Sequence, residues 1–463
     1  MKPGTDLSPS KVWKSYSWKV SEHPFVWNDT ITVDSHKILK EPLLCKGLHG
    51  TDNSVDSAAY YEEDRDLHLN SSSSLQALLN GMNVLAGVGV LSTPYALAQG
   101  GWLGLGFLLL FALVCCYTGF LLRRCLETDS RMSSYPDIGD AAFGRAGRLF
   151  VSTLLYFELF AVAVEFLILE GDNLARLFPR TKLNIASITI PSHQVFIIVS
   201  ALAMLPTVWL RKLSLLSFLS AGGVLASILV LLAVGWVGIF DGVGFHCRGK
   251  MINLSGLPVA IGLYSFCYCG HAVFPNIYAS MKKRERFSAV LLVCFTLCTF
   301  IYGCIGVLGY LMFGDDLKSQ ITLNLPTDKL ASKVAIYITL VNPFAKYALT
   351  LSPVAMALEE LLPSSLATQK HVFWGTCVRT MLVAATVIVA LAVPMFGYLM
   401  AFIGSFLSNA VAVIFPCLCY LKIFRFKLSA GEASFVQLIL GLGILSGCIG
   451  TYSSLKQILE GLG

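Results

Sequence analysis

From residue 75 to the C-terminus the chain repeats one pattern, a long apolar run followed by a few polar or charged residues. Runs at 75–98, 102–126, 149–178, 194–210, 213–240, 254–281, 287–313, 331–362, 373–393, 397–423 and 435–459 each approach or exceed the ~20 residues that cross a bilayer core. They predict an all-α polytopic membrane protein of about eleven spans. Residues 134–147 predict a short interfacial helix, because Pro136 sits where a helix starts and Gly144 near where it stops. Residues 1–74 follow another pattern. They are polar, with an acidic stretch around Glu62, Glu63 and Asp64 and a serine run from Ser71 to Ser74, and their weak apolar periodicity predicts a disordered tail. The expected organisation is a tail over 1–74 and a transmembrane domain over 75–463.

Composition agrees. Hydrophobic residues make up 55% of the chain and charged residues only 13%, about half the charge of a soluble domain. The 14 cysteines lie mostly inside apolar runs, as Cys115, Cys116, Cys294 and Cys298 do. The pairs Cys267/Cys269 and Cys417/Cys419 lack the spacing of a metal or redox motif, so the cysteines read as small hydrophobes and no metal or cofactor is expected.

Net charge is +6, yet the basic residues sit in short loops, as orientation signals do, rather than in a nucleic-acid-binding patch. Loops after even-numbered spans hold fifteen Lys and Arg, against eight in the opposite loops. That bias predicts a cytosolic N-terminus. Sequons at Asn28 and Asn70 would then go unmodified, whereas Asn253 falls on the far side. Residues 34–39 have an acidic-dileucine-like spacing of the kind that sorts membrane proteins.

Two spans carry helix-breaking residues near their middle. The first has Gly87, Val88, Gly89 and then Pro94; the sixth has Gly270 and Pro275. They are five spans apart, so they hold corresponding places in two five-span halves. Paired interruptions of this kind point to a transporter's binding site. In hydrocarbon an unpaired backbone group costs several kcal/mol, so unwound backbone persists only where it lines a cavity. Freed amides and a half-helix N-terminus can hold a carboxylate.

The run Gly87-x-Gly89-x-Leu91-x-x-Pro94-Tyr95 resembles the first-helix signature of the amino acid/auxin permease family. The polar tail, the span count and Asn342-Pro343-Phe344-Ala345-Lys346-Tyr347 in the eighth span fit that family too. Within it, the chain looks most like the plant vacuolar-type amino acid transporters, relatives of the vesicular inhibitory amino acid transporters. The resemblance covers 75 to the C-terminus. It implies a leucine-transporter-like fold, in which spans 1–5 and 6–10 are inverted repeats and span 11 is appended. It also implies amino acid transport, usually coupled to protons, in a vacuolar membrane and without an organic cofactor. Carried over by position, Gly87, Val88, Gly89 and Val90 would offer backbone groups to the substrate carboxylate. Carbonyls around Tyr268, Cys269 and Gly270 would face its ammonium, with Tyr264, Phe266 and Phe274 as walls and gates.

Ionisable groups at membrane depth are costly and mark function by default. Glu158 and Glu165 lie seven residues apart and so share nearly one face of the third span. Glu165 and His271 are the candidates for carrying protons. In the implied fold the middle of the eighth span packs on the break of the first, where sodium-coupled relatives place a sodium ion. Lys346 would put its ammonium there, favouring proton coupling over sodium coupling.

No metalloprotease, serine-hydrolase or phosphate-loop motif is present, so neither an enzyme nor a primary pump is expected. Two other readings stay open: a receptor of the same fold that signals through the tail, and a carrier of another carboxylate such as auxin. The sequence leaves oligomeric state open.

Overall fold

The computed structural model describes residues 72–181, 183–185, 188–209, 216–362 and 368–462. The tail before residue 72, with its dileucine-like segment and the sequons at Asn28 and Asn70, lies outside them. Span 1 consists of α1 (Ser74–Leu85) and α2 (Gly89–Gly100), span 2 of α3 (Gly104–Leu126) and span 3 of α4 (Tyr135–Leu177). A two-stranded antiparallel hairpin, β1 (Leu183–Ile185) with β2 (Ile188–Ile190), leads into span 4, α5 (Ser192–Trp209), and span 5, α6 (Leu216–Phe240). Span 6 is again two pieces, α7 (Leu257–Cys267) and α8 (Phe274–Ser280). Spans 7, 8 and 9 are α9 (Phe287–Phe313), α10 (Leu330–Glu359) and α11 (Thr368–Ala392). Span 10 runs from α12 (Phe396–Ile403) to α13 (Phe415–Ile423), and span 11 is α14 (Ala430–Leu462).

Among the described residues, nine helices are long and apolar enough to cross a membrane, and the bent pair α1/α2 makes a tenth. The pair α7/α8 fills the place read as span 6, but its pieces of 11 and 7 residues are each too short to cross alone. Helix α1 opens with a capping box, in which Ser73 and Gln76 each accept from the other's backbone N–H. The short helix read at 134–147 is set off from the rest of span 3, because Tyr135–Leu177 is two helices joined across a kink. Pro136 lies in its first turn, and the chain kinks at Gly144, whose φ of 68° suits a residue without Cβ. The β-hairpin and the π-helical stretches Gly404–Ser408 and Ala410–Ile414 inside span 10 were not foreseen from the pattern.

Spans 1, 3, 6, 7, 8 and 10 gather the buried core. The most apolar stretch of span 10 is 72% buried, against 28% for spans 4 and 11, so span 10 is central and the other two are peripheral. Lipid tails are as apolar as Leu, so close packing rather than the hydrophobic effect holds such helices together. Span 6 meets span 10 backbone to backbone: a Cβ on Gly262 would strike the carbonyl of Ala401, and one on Gly404 that of Gly262.

Candidate substrate and coupling site

Both mid-span interruptions are real gaps in the helices. In span 1 the helical path is lost over 86–88, and the half-helices diverge by 49°. Pro94 lies inside α2 rather than at the gap. In span 6 the gap runs over 268–273, and Pro275 falls in the first turn of α8, where a missing N–H costs nothing. At the start of α2 the N–H groups of Val88 and Gly89 donate to no acceptor among the described residues. They form the positive end of a half-helix dipole and suit an anion.

The two gaps are tied together by a residue the sequence reading passed over. The hydroxyl of Tyr302, in span 7, points at the last carbonyls of both first half-helices, Leu85 O and Cys267 O, the latter at 3.0 Å. Ser227 Oγ in span 5 donates to the next carbonyl, Ala86 O, at 2.9 Å. Ala86 O and Cys267 O, which unwinding strips of helical partners, are therefore met by side chains, while Leu85 O also accepts from Gly87 N–H at 2.8 Å. Gly89 is where the broken spans touch: a Cβ there would lie 2.8 Å from Cys267 Sγ and 3.2 Å from its Cα. In sequence, Tyr302 is one aromatic among many on apolar helices, and nothing but the fold singles it out.

A cavity opens beside the first gap, with about 340 Å³ of space between atoms, partly open to solvent. Its walls include Gly87, Val88 and Val90 of span 1, Leu169 of span 3, Ser227 of span 5 and Asn342 of span 8. Of the residues carried over for substrate binding, then, Gly87, Val88 and Val90 line this cavity. Gly89 turns its backbone to Cys267 instead.

The span 6 residues are placed elsewhere. Tyr264 and Phe274 are fully buried in the core, and the Tyr264 hydroxyl has no partner among the described residues. Phe266 packs on Gly404 of span 10, and Gly270 sits against Leu85 and the Phe274 ring. Tyr268 donates to Thr299 Oγ1 at 2.8 Å and stacks near Phe295, which turns it toward span 7. The thiol of Cys269 lies 3.1 Å from Glu158 Oε1.

The three candidate coupling groups also separate. Lys346 donates from Nζ to Asn83 O at 3.2 Å, so its ammonium rests on the last turns of α1 beside Gly223 of span 5. His271 turns to span 2, its Nε2 lying 3.0 Å from Cys115 O and 3.0 Å from Thr118 Oγ1. Since a carbonyl only accepts, Nε2 carries the hydrogen; Nδ1 is buried without a partner among the described residues. Glu165 is completely buried, and both its carboxyl oxygens lack partners there.

A polytopic bundle with two broken spans, free amides at one gap and a cavity beside it is built to carry a solute. The family described as transmembrane amino acid transporter protein matches residues 70–457. The chain belongs to that family, whose members are carriers and not enzymes. It is 53% identical over 85% of its length to amino acid transporter AVT1B of Arabidopsis thaliana, covering 72% of that protein. It is 46% identical to amino acid transporter AVT1J of the same plant, over 91% of this chain and 97% of that one. Among solved structures it resembles a Na⁺-coupled sialic acid symporter in a substrate-bound outward-open state, with a TM-score of 0.52 and 14% identity, over 82% of this chain and 87% of that one. The likeness is one of fold, the leucine-transporter-like arrangement that the family resemblance implied.

Proposed function

We propose that this multi-pass membrane protein is a secondary active carrier of amino acids, driven by protons, independent of sodium and working by alternating access. The observation that carries the reading is the gap at 86–88: it opens on the cavity and presents the unsatisfied N–H groups of Val88 and Gly89. An amino acid's carboxylate is assigned to Gly87, Val88, Gly89 and Val90. Its ammonium is assigned to the carbonyls at the span 6 gap, around Tyr268, Cys269 and Gly270. Tyr264, Phe266 and Phe274 then act as walls and gates once span 6 moves toward the cavity.

Glu165 is assigned the proton, because a buried carboxyl without a partner is best kept neutral or reached by water. His271 offers its bare Nδ1 to the same task. The ammonium of Lys346 supplies a fixed positive charge where span 8 meets span 1, which leaves no electrostatic demand there for sodium. The carrier is assigned to a vacuolar membrane, an assignment supported by the resemblance to vacuolar-type transporters, with residues 1–74 as a cytosolic tail and 75–463 as the carrier domain.

Proteoliposomes in sodium-free buffer, offered a mixture of labelled amino acids, test this directly. Accumulation driven by an imposed pH gradient is the expected result, and it ranks the substrates. Binding without uptake under any gradient would instead make the protein a receptor.

A further inference from the structure

The same geometry holds a second carboxyl group that the sequence did not commit to a role. Glu158 lies on span 3 two turns before Glu165, and only 7% of its surface is exposed. Its Oε1 accepts two hydrogen bonds, from Ser408 Oγ at 2.6 Å and from Cys269 Sγ at 3.1 Å. The donors come from two other spans. Cys269 is in the gap of span 6, and Ser408 closes the π-helical stretch Gly404–Ser408 of span 10. Widened turns of this kind gather at functional sites.

We propose that Glu158 is a second proton-carrying residue, and that its charge state decides whether the span 6 gap stays tied to span 3 and span 10. This rests on the reading of the chain as a proton-coupled carrier. Two donors on one oxygen suit a carboxylate, because hydrogen bonds to an ionised acceptor are about twice as strong as neutral ones. A proton taken from the acidic side onto the carboxylate removes that charge and weakens both bonds. Cys269 is then free to leave with the gap. Loss of the proton to the other side restores the tie. A proton that favours one arrangement of the gap shifts the equilibrium between arrangements by its differential affinity.

No cation competes for this role among the described residues. The groups facing Glu158 are the thiol of Cys269 from span 6 and the hydroxyl of Ser408 from span 10, with Glu165 further along its own helix. Lys346 is engaged by Asn83, and His271 is turned to span 2. Glu158 and Glu165 therefore share a face, one clamped by donors and the other bare, as two successive proton stations would be.

The experiment measures pH-gradient-driven uptake of a labelled amino acid mixture by the full chain in proteoliposomes, across a series of external pH values. Ser408→Ala and Cys269→Ala each remove a donor that stabilises the charged form. Each should move the pH of half-maximal uptake to the alkaline side by about one unit, and the double variant should move it further. Glu158→Gln should lose most of the gradient-driven accumulation. Ser405→Ala, on the same stretch but bonded to Phe402 O, should leave the profile where it was. A wild-type midpoint in both Ser408→Ala and Cys269→Ala, or a wild-type pH profile in Glu158→Gln, would overturn the proposal while leaving the carrier reading intact. Should Glu158→Gln fail to fold, the midpoints of the two donor variants decide alone. Wild-type protein that accumulates nothing under the gradient would bring down the carrier reading itself.

Discussion

The ammonium of Lys346 lies 3.2 Å from the main-chain carbonyl of Asn83, joining the middle of span 8 to the last turns before the span 1 gap. Asn83 itself reaches Ser220 of span 5 through Nδ2, and its Oδ1 finds no partner among the described residues. One positive charge thus sits where three helices meet. Lys346→Ala should abolish uptake, and Lys346→Thr, which offers a hydroxyl in place of the charge, should make residual uptake respond to sodium. Uptake assays with and without sodium check both, and an active Lys346→Met would remove Lys346 from the coupling machinery.

Tyr302→Phe removes the hydroxyl that reaches the last carbonyls of both first half-helices. It leaves Cys267 O in a buried setting without its donor, whereas Leu85 O keeps the N–H of Gly87 at 2.8 Å. The cost of such an unmet buried group is about 1–3 kcal/mol. The expected outcome is a lower thermal midpoint in detergent and slower uptake. An unchanged midpoint would mean that water or backbone shifts replace the hydroxyl.

Gly89→Ala tests the contact between the broken spans. The added methyl would fall 2.8 Å from Cys267 Sγ and 3.2 Å from the backbone at Cys267 Cα. The thiol can turn aside, but the backbone must move, and overpacking of this kind costs about 1–3 kcal/mol. Reduced stability and reduced uptake should appear together. Gly222→Ala, where an added Cβ meets nothing within 4 Å, serves as the neutral comparison.

Glu165→Gln keeps the shape of the side chain but cannot take up the proton. Uptake should lose its dependence on the imposed pH gradient, read as equal initial rates with and without the gradient. A variant that keeps full pH-dependent uptake would exclude Glu165 as the carrier of the proton.

Arg379 holds three spans together away from the cavity. Its Nε donates to Glu359 at 2.7 Å and its Nη1 to Val208 O at 2.9 Å, linking spans 9, 8 and 4. The arginine side chain is 4% exposed and the glutamate 11%. Arg379→Met takes this cation from Glu359 and a donor from Val208 O, breaking a buried ion pair, which is destabilising. A fall in thermal midpoint is expected, and partial recovery in the double variant Arg379→Met/Glu359→Gln would show that the loss came from the broken Arg379–Glu359 pair.

The apolar runs alone determined that the chain crosses the membrane many times, because only a bilayer accepts so much apolar surface and only helices satisfy their own backbone within it. Glycine and proline near mid-span marked the two places where that satisfaction fails, and the gaps fall at 86–88 and 268–273. The span 7 limits read from the pattern, 287 and 313, are those of Phe287–Phe313, since charge and glycine end that helix sharply. Periodicity did not reveal the π-helical turns of span 10, which arise where its backbone packs on Gly262 and where Ser408 turns to Glu158.

Which side chains meet was decided only in three dimensions. Lys346 and Asn83 are 263 residues apart, Tyr302 and Leu85 are 217 apart, and Glu158 and Ser408 are 250 apart. A sequence names the groups that are expensive in a membrane, because their cost is a property of each residue. The partner that offsets the cost is set by how helices distant in the chain are packed, and that packing turned His271 toward Thr118, Lys346 toward Asn83 and Glu158 toward the span 6 gap.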